Sequence, residues 1–319
     1  MKDSLSHIPD IKMIALDLDG TTLVRGHITS RTRKALEDAI QEGVHVVVAT
    51  GRVYTSLPKD IFTIKGLEYV VTSNGACVTD LKENKVIYEN CIAGDKILEI
   101  KDLLEAKGHP VEIFTKGQAY IDESLRKELE EYGPASKYMS RNYVLRTRKS
   151  VEEIFSFLEE HYQHIENINI HFPSGEEKDS MWKALEKVHG ITLTSSMKRN
   201  IEIGGATTSK ATGLAHLCQL RGISLDETMA CGDSPNDMAM LEEAVLGVAM
   251  GNGVKKVLEM ADCIAPPHDE EGVAWAVEHF VLKKERPMWQ TVAMQTKNRV
   301  LNLAYKSARK VSKKLKGNR

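Results

Sequence analysis

Two acids separated by one residue stand near the start of the chain, in Met13-Ile14-Ala15-Leu16-Asp17-Leu18-Asp19-Gly20-Thr21-Thr22-Leu23. An apolar run of strand length stops at Asp17 and Asp19, and a glycine with two hydroxyls follows. Carboxylates this close repel unless a cation lies between them, so the pair implies a hard divalent metal. Alone, the pair reads equally well as a solvated Asp-Gly turn at a strand end. Further chemistry-bearing residues follow: Thr50-Gly51-Arg52, Ser73-Asn74-Gly75, Lys210 and Gly232-Asp233-Ser234-Pro235-Asn236-Asp237. One carboxylate at a metal can act as a nucleophile, because the cation screens it from an incoming phosphate dianion. A second can act as acid and then base, while a lysine and a hydroxyl hold the phosphoryl oxygens. This inventory is what phosphoryl transfer through an aspartyl-phosphate needs.

Singly, these residues are ordinary. Lys210 reads as a solvated lysine at a helix start, Thr50 as a turn hydroxyl, and Asp237 as a first-turn acid favoured by the helix dipole. Arg52 and Asn74 read equally as substrate contacts and as a structural ion pair and a turn residue. Their joint occurrence, in order, carries the argument.

The elements around them must bring them to one edge. Buried strands of parallel sheets read as continuous apolar runs, and ligands bind beyond their carboxyl ends. Residues 13–16 form such a run, residues 29–42 a helix capped by Thr29 or Ser30 and ended by Gly43, and residues 44–49 a second run ending at Thr50. Strand, helix and strand make a βαβ unit, which brings Thr50 beside Asp17. A third strand, residues 69–72, ends at Ser73-Asn74-Gly75. The pattern then changes. Strands are expected at 86–92, 168–172, 191–194 and 200–203, with a hairpin over 111–121 turning at Lys116-Gly117. Helices are expected at 97–106, 151–162 and 178–188. Alternating strands and helices resume with a helix over 209–220 and close with one over 271–282. The expected fold is α/β, a Rossmann-like parallel-sheet core with an inserted α+β domain. Residues 1–82 and 198–282 are expected to form the core, 83–197 the insertion and 283–319 a tail.

Composition bounds the function. Of 319 residues, 42% are hydrophobic and 28% charged, which excludes a disordered chain. The net charge is −2, yet from Lys283 onward twelve basic residues face a single acid, Glu285, so the tail is a separate element. Val292, Thr296, Val300, Leu303, Ser307 and Val311 recur there at helical spacing. Docking on an anionic membrane or on nucleic acid competes with a basic helix packed on the acidic body or a frayed end, and the thin apolar stripe favours the latter. The five cysteines are widely spaced without a Cys-x-x-Cys, which argues against disulfides and zinc and for a reducing cytoplasm. No signal peptide or membrane span is read.

In order and spacing, Asp17-Leu18-Asp19-Gly20-Thr21-Thr22, Thr50-Gly51-Arg52, Lys210 and Gly232-Asp233-Ser234-Pro235-Asn236-Asp237 resemble the four motifs of the haloacid dehalogenase-like (HAD) superfamily. Within it the chain is similar to the Cof-type phosphatases, whose large α/β cap (class IIB) is inserted between the second and third motifs. Residues 72–76 and 246–252 are similar to that subfamily as well, and the likeness spans about residues 11–282. The resemblance implies that Asp17 is the nucleophile and a Mg²⁺ ligand. It implies that Asp19 is the general acid/base and lends the metal its backbone carbonyl, with Asp233 completing the ligands. Thr50, Gly51, Lys210 and Asn236 would bind the phosphoryl group, with Arg52 and Asn74 near the substrate, and Asp237 would support Lys210 or the metal shell. Ala211 stands where the subfamily usually has glycine, which puts only the local turn in doubt. The implied function is Mg²⁺-dependent hydrolysis of a small phosphorylated metabolite: a sugar phosphate, a nucleotide or a flavin-pathway phosphate. Competing readings are a phosphotransferase or mutase, and a non-catalytic regulatory binding protein.

Overall fold

The computed structural model describes residues 10–131 and 141–283 of the chain. The basic tail lies outside the described residues, apart from Lys283, whose Nζ sits 2.7 Å from Asp10 Oδ1. The chain opens with β1 (Met13–Leu16), the helix Ser30–Gln41, β2 (His45–Ala49) and β3 (Tyr69–Thr72), then β4 (Cys77–Asp80) and β5 (Lys85–Glu89). It continues through β6 (Val111–Thr115), β7 (Gln118–Asp122), β8 (Arg148–Val151), β9 (Ile165–His171), β10 (Ile191–Thr194) and β11 (Asn200–Gly205). It then returns to β12 (Thr228–Gly232), β13 (Leu246–Met250) and β14 (Cys263–Ala265). Two sheets result. One is eight-stranded with order β14-β13-β12-β1-β2-β3-β4-β5, and the other six-stranded with order β10-β11-β9-β6-β7-β8.

β1 is central because all four of its side chains are fully buried. Ile14 and Leu16 pack into one apolar layer with Leu36 and Trp275, while Met13 and Ala15 pack into the opposite layer with Leu214 and Leu241. A strand covered on both faces cannot alternate polar and apolar residues, which is why it reads as an unbroken run. β14 to β3 run parallel, so β1, β2 and β12 end at one edge. The helix Ser30–Gln41 starts where the Thr29 hydroxyl accepts the Thr32 N–H at 3.2 Å.

Two expected boundaries are corrected. Lys85–Glu89, expected in the insertion, pairs antiparallel with β4 and extends the large sheet at its edge. Asn200–Gly205, expected in the core, pairs antiparallel with β9 and β10 in the small sheet. A change from βαβ units to hairpins suggests a change of sheet, whereas here the β4–β5 hairpin continues the same one. The small sheet thus spans the chain between β5 and β12 and forms an α+β cap. The helices Glu123–Glu131 and Arg141–Thr147 and the strand β8 lie in it without having been expected from the sequence. Lys116 and Gly117 turn the β6–β7 hairpin with positive φ, +49° and +71°. Where the chain leaves and re-enters the core, its two crossings are tied together. Asn90 Nδ2 donates to Thr207 Oγ1 at 3.1 Å, and Thr208 Oγ1 donates to the Asn90 carbonyl at 2.6 Å.

The cap sheet has an apolar face carrying Ile113, Ile168, Ile170, Ile201 and Ile203, and an opposite polar one. Glu112, Asn167, Asn169, His171, Asn200 and Glu202 stand on that polar face and are nonetheless buried. None of the five cysteines forms a disulfide. Among the described residues no helix is long and apolar enough to cross a membrane.

Candidate active site

The carboxyl edge of the large sheet gathers residues from five separate stretches, 17–22, 50–52, 73–75, 210 and 232–237. Asp17 follows β1, and its carbonyl accepts the Thr22 hydroxyl at 2.5 Å, which folds the loop back under it. Lys210 is the first residue of the helix Lys210–Arg221, capped by the Ser209 hydroxyl on the Thr212 N–H at 3.1 Å. Gly75, at φ +98°, lets the loop after β3 press on this helix start: a Cβ there would lie 1.9 Å from the Ser209 carbonyl oxygen. Only glycine fits that approach.

Lys210 is fully buried, and its Nζ donates to Asp17 Oδ1 at 2.5 Å and to Asp237 Oδ1 at 2.6 Å. The other oxygen of Asp237 accepts the N–H groups of Asp233 and Ser234, both at 2.9 Å. Asp237 therefore shapes the loop that carries Asp233 while anchoring the lysine. Asp233 Oδ1 accepts the Thr21 hydroxyl at 3.1 Å, and Oδ2 accepts the Ser234 hydroxyl at 3.2 Å. Gly20, at φ +79°, lies against this carboxylate, where a Cβ would stand 2.5 Å from Asp233 Oδ2.

The electrostatics follow from crowding. Burial, then the neighbouring Asp237, raise the Asp17 carboxyl well above the usual range. The same two causes push Asp233 up to about 6. Burial works against the Lys210 ammonium, but Asp17 and Asp237 overcome it and hold its pKa above the ordinary lysine value. Carboxylate oxygens of Asp17, Asp233 and Asp237 lie within 4.8 Å of one another. Three acids around one ammonium form an oxygen-only donor set with surplus negative charge, which fits a hard divalent cation such as Mg²⁺.

Asp19 is placed differently. Its side chain is 60% exposed, and both its oxygens are held by Arg52, from Nε at 2.7 Å and Nη2 at 2.6 Å. Thr50 is buried at the end of β2, its hydroxyl accepting the Arg52 N–H at 3.2 Å. Asn74 N–H donates to the Thr50 carbonyl at 3.0 Å. The Asn74 side chain accepts from Asn236 Nδ2 at 3.0 Å and donates to Glu202 Oε2 at 2.6 Å. Gly51 lies against the same amide, with a Cβ position 3.1 Å from Asn74 Oδ1. Thus Asp17, Lys210, Asp233 and Asp237 form one cluster, Asp19 with Arg52 a second, and Thr50, Gly51, Asn74 and Asn236 a third.

Sequence reasoning missed Thr21, Thr22 and Ser234, whose hydroxyls brace the acids, and Asn252, whose Nδ2 donates to the Gly20 carbonyl at 2.8 Å. It also missed the cap residues that reach this edge. Ser73 donates to Glu166 at 2.6 Å, Asn74 to Glu202, and Arg148 to the Ser56 hydroxyl at 3.4 Å. A usable signal was the alternation of polar and apolar residues in β9, though it did not say the polar side would be covered.

A family model described as haloacid dehalogenase-like hydrolase matches residues 14–277. Phosphatase YwpJ of Bacillus subtilis (strain 168) is 31% identical over 287 residues, covering 85% of this chain and all of that protein. The 5-amino-6-(5-phospho-D-ribitylamino)uracil phosphatase YcsE of the same organism is 31% identical over 274 residues, covering 86% of this chain and 97% of that one. Among solved structures, a haloacid dehalogenase-like hydrolase from B. subtilis superposes with a TM-score of 0.73 at 29% identity, covering 85% of this chain and 100% of that one.

Proposed function

Because the chain belongs to the haloacid dehalogenase-like hydrolases, of the Cof type, we propose that it is a Mg²⁺-dependent phosphatase of small phosphorylated metabolites. The observation that carries this reading is the position of Lys210, buried between Asp17 and Asp237 with Asp233 beside them. An ammonium held there lies beside the carboxylate that would attack phosphorus, where the equatorial oxygens of the transferred group need positive charge.

In this reading Asp17 bonds to phosphorus as the ester P–O bond breaks, and Asp19 gives a proton to the leaving oxygen. Asp19 then takes a proton from water as the water oxygen attacks phosphorus and the bond to Asp17 breaks, releasing inorganic phosphate. Thr50, Gly51, Lys210 and Asn236 hold the phosphoryl oxygens, while Asn74 orients Asn236, and Asp237 fixes Lys210 and the Asp233 loop. Asp17 and Asp233, with the Asp19 carbonyl, would hold Mg²⁺, which supplies charge screening between nucleophile and phosphate when bound. The substrate is proposed to be a sugar phosphate, a nucleotide or a flavin-pathway phosphate. The ribityl phosphate in the name of one relative supports a small polyhydroxylated leaving group. A panel of such esters with Mg²⁺ tests the reading. Asp17→Asn should abolish phosphate release while the protein stays folded, and undiminished turnover in that variant would refute the proposal.

A further inference from the structure

Arg52, which holds Asp19, is itself held from both the core, through Ser56, and the cap, through Tyr143. Its Nη1 donates to the Ser56 carbonyl at 3.0 Å, and its guanidinium lies over the ring of Tyr143, 4.9 Å from the centroid. Tyr143 belongs to the cap helix Arg141–Thr147. The same ring carries the guanidinium of Arg148 at 4.7 Å. Arg148 in turn donates to Glu112 Oε2 at 2.9 Å, on the polar face of the cap sheet. An unbroken series therefore joins Asp19, Arg52, Tyr143, Arg148 and Glu112 across the boundary between core and cap.

Two guanidiniums over one ring would repel, but each has its own carboxylate, and an aromatic face attracts a cation more strongly where water is excluded. Arg52 is 15% exposed and Arg148 7%, so both sit in such surroundings. Asp19, by contrast, is largely exposed, and its carboxylate has Arg52 as its partner on both oxygens. Without a fixed guanidinium, little on the core side would hold that side chain in one place.

We propose that Tyr143 is a positioning residue for Asp19: with the cap seated, its ring fixes Arg52, and Arg52 fixes the Asp19 carboxylate. The inference rests on reading Asp19 as the acid that protonates the leaving oxygen: the proton is carried by one Asp19 oxygen, which keeps a lone pair for Arg52, while the other oxygen accepts the second guanidinium N–H. Seating the cap then completes the catalytic arrangement, so hydrolysis with an empty or ill-fitted cap is disfavoured. A misplaced Asp19 penalises esters whose leaving oxygen needs a proton, such as an alkyl phosphate. It spares para-nitrophenyl phosphate, whose phenolate leaves without one.

The test compares kcat and KM for glycerol 2-phosphate and para-nitrophenyl phosphate in the full-length protein with Mg²⁺. Tyr143→Ala should lower kcat about tenfold on the alkyl ester, a part of the roughly 10²–10⁴-fold that a general acid contributes, since the acid is misplaced and not removed, and change it less than about twofold on the aryl ester. Tyr143→Phe, which keeps the ring, should restore the wild-type ratio between the two esters. In an Asp19→Asn background, Tyr143→Ala should cost nothing further on the alkyl ester. Equal losses on both esters, no loss on either, or a Phe variant as impaired as Ala overturns the proposal. Failure of the wild type on both esters strikes the phosphatase reading itself, which separates the two failures.

Discussion

Asp237 holds Lys210 with one carboxylate oxygen, at 2.6 Å, and the Asp233 loop with the other. It is fully buried, so each of those hydrogen bonds is made out of water. One side chain thereby sets the distance between the ammonium and the proposed metal carboxylate.

Replacing Asp237 by Asn breaks that double role, since an amide offers one oxygen and turns its NH₂ toward another donor. We expect kcat to fall about a hundredfold, the scale seen when one preorganised charge contact is lost. Steady-state kinetics with circular dichroism on the same sample separates this from unfolding. A variant with wild-type kcat would show that Lys210 needs no second anchor.

The carboxylate cluster predicts a metal requirement. Chelation should abolish activity and Mg²⁺ should restore it. Asp233→Asn should raise the Mg²⁺ concentration for half-maximal activity by at least roughly tenfold. Isothermal titration of Mg²⁺ into wild type and variant measures the same loss without turnover. Equal affinities would remove Asp233 from the proposed ligand set.

Gly20 and Gly26 form a matched pair. Both have positive φ, +79° and +86°, but a Cβ on Gly20 meets Asp233 at 2.5 Å, whereas one on Gly26 meets nothing within 4 Å. Gly26→Ala should cost about 1 kcal/mol of stability through its backbone alone, with activity intact. Gly20→Ala should add a shift of Asp233, read as weaker Mg²⁺ binding beyond its fall in melting temperature. Identical behaviour of the two variants would contradict the contact.

The cap predicts an acid sensitivity. Burial would raise the Glu112 carboxyl, but the Arg148 guanidinium and His171 outweigh it and hold its pKa well below the ordinary 4.5. A folded-state pKa below the unfolded one gives stability that is present above about pH 4.5 and lost as the pH falls toward the folded value. Glu112→Gln should therefore cost about 3 kcal/mol at pH 7, because it strands a buried guanidinium. The gap to wild type should narrow as the pH drops below about 4.5. Denaturant melts at pH 7 and pH 3.5 check the sign; a gap that widens in acid would be inconsistent with the pairing.

What the sequence made legible is what one element dictates by itself. β1 announced its burial through an uninterrupted apolar run, and Asp17, Lys210, Asp233 and Asp237 lie together because strand ends and a helix start deliver them to one edge. Less legible was whatever depends on a partner far along the chain. Lys85–Glu89 looked like the start of an insertion because nothing local says which sheet a hairpin extends. The alternation of Asn167, Asn169 and His171 with Ile168 and Ile170 marked a strand with a polar face, and a polar face is ordinarily turned to water. Here it is buried. Tyr143 carried no signal at all, because its role depends on Arg52, which lies in the core, ninety-one positions earlier.

The tie between Asn90 and Thr207 with Thr208 brings the ends of the cap within hydrogen-bond reach of each other. A segment that departs and returns through one doorway can lengthen, shrink or be exchanged whole while the sheet bearing Asp17 keeps its strand order. Inheritance can therefore act on the two parts separately, conserving the reaction while redrawing the clientele.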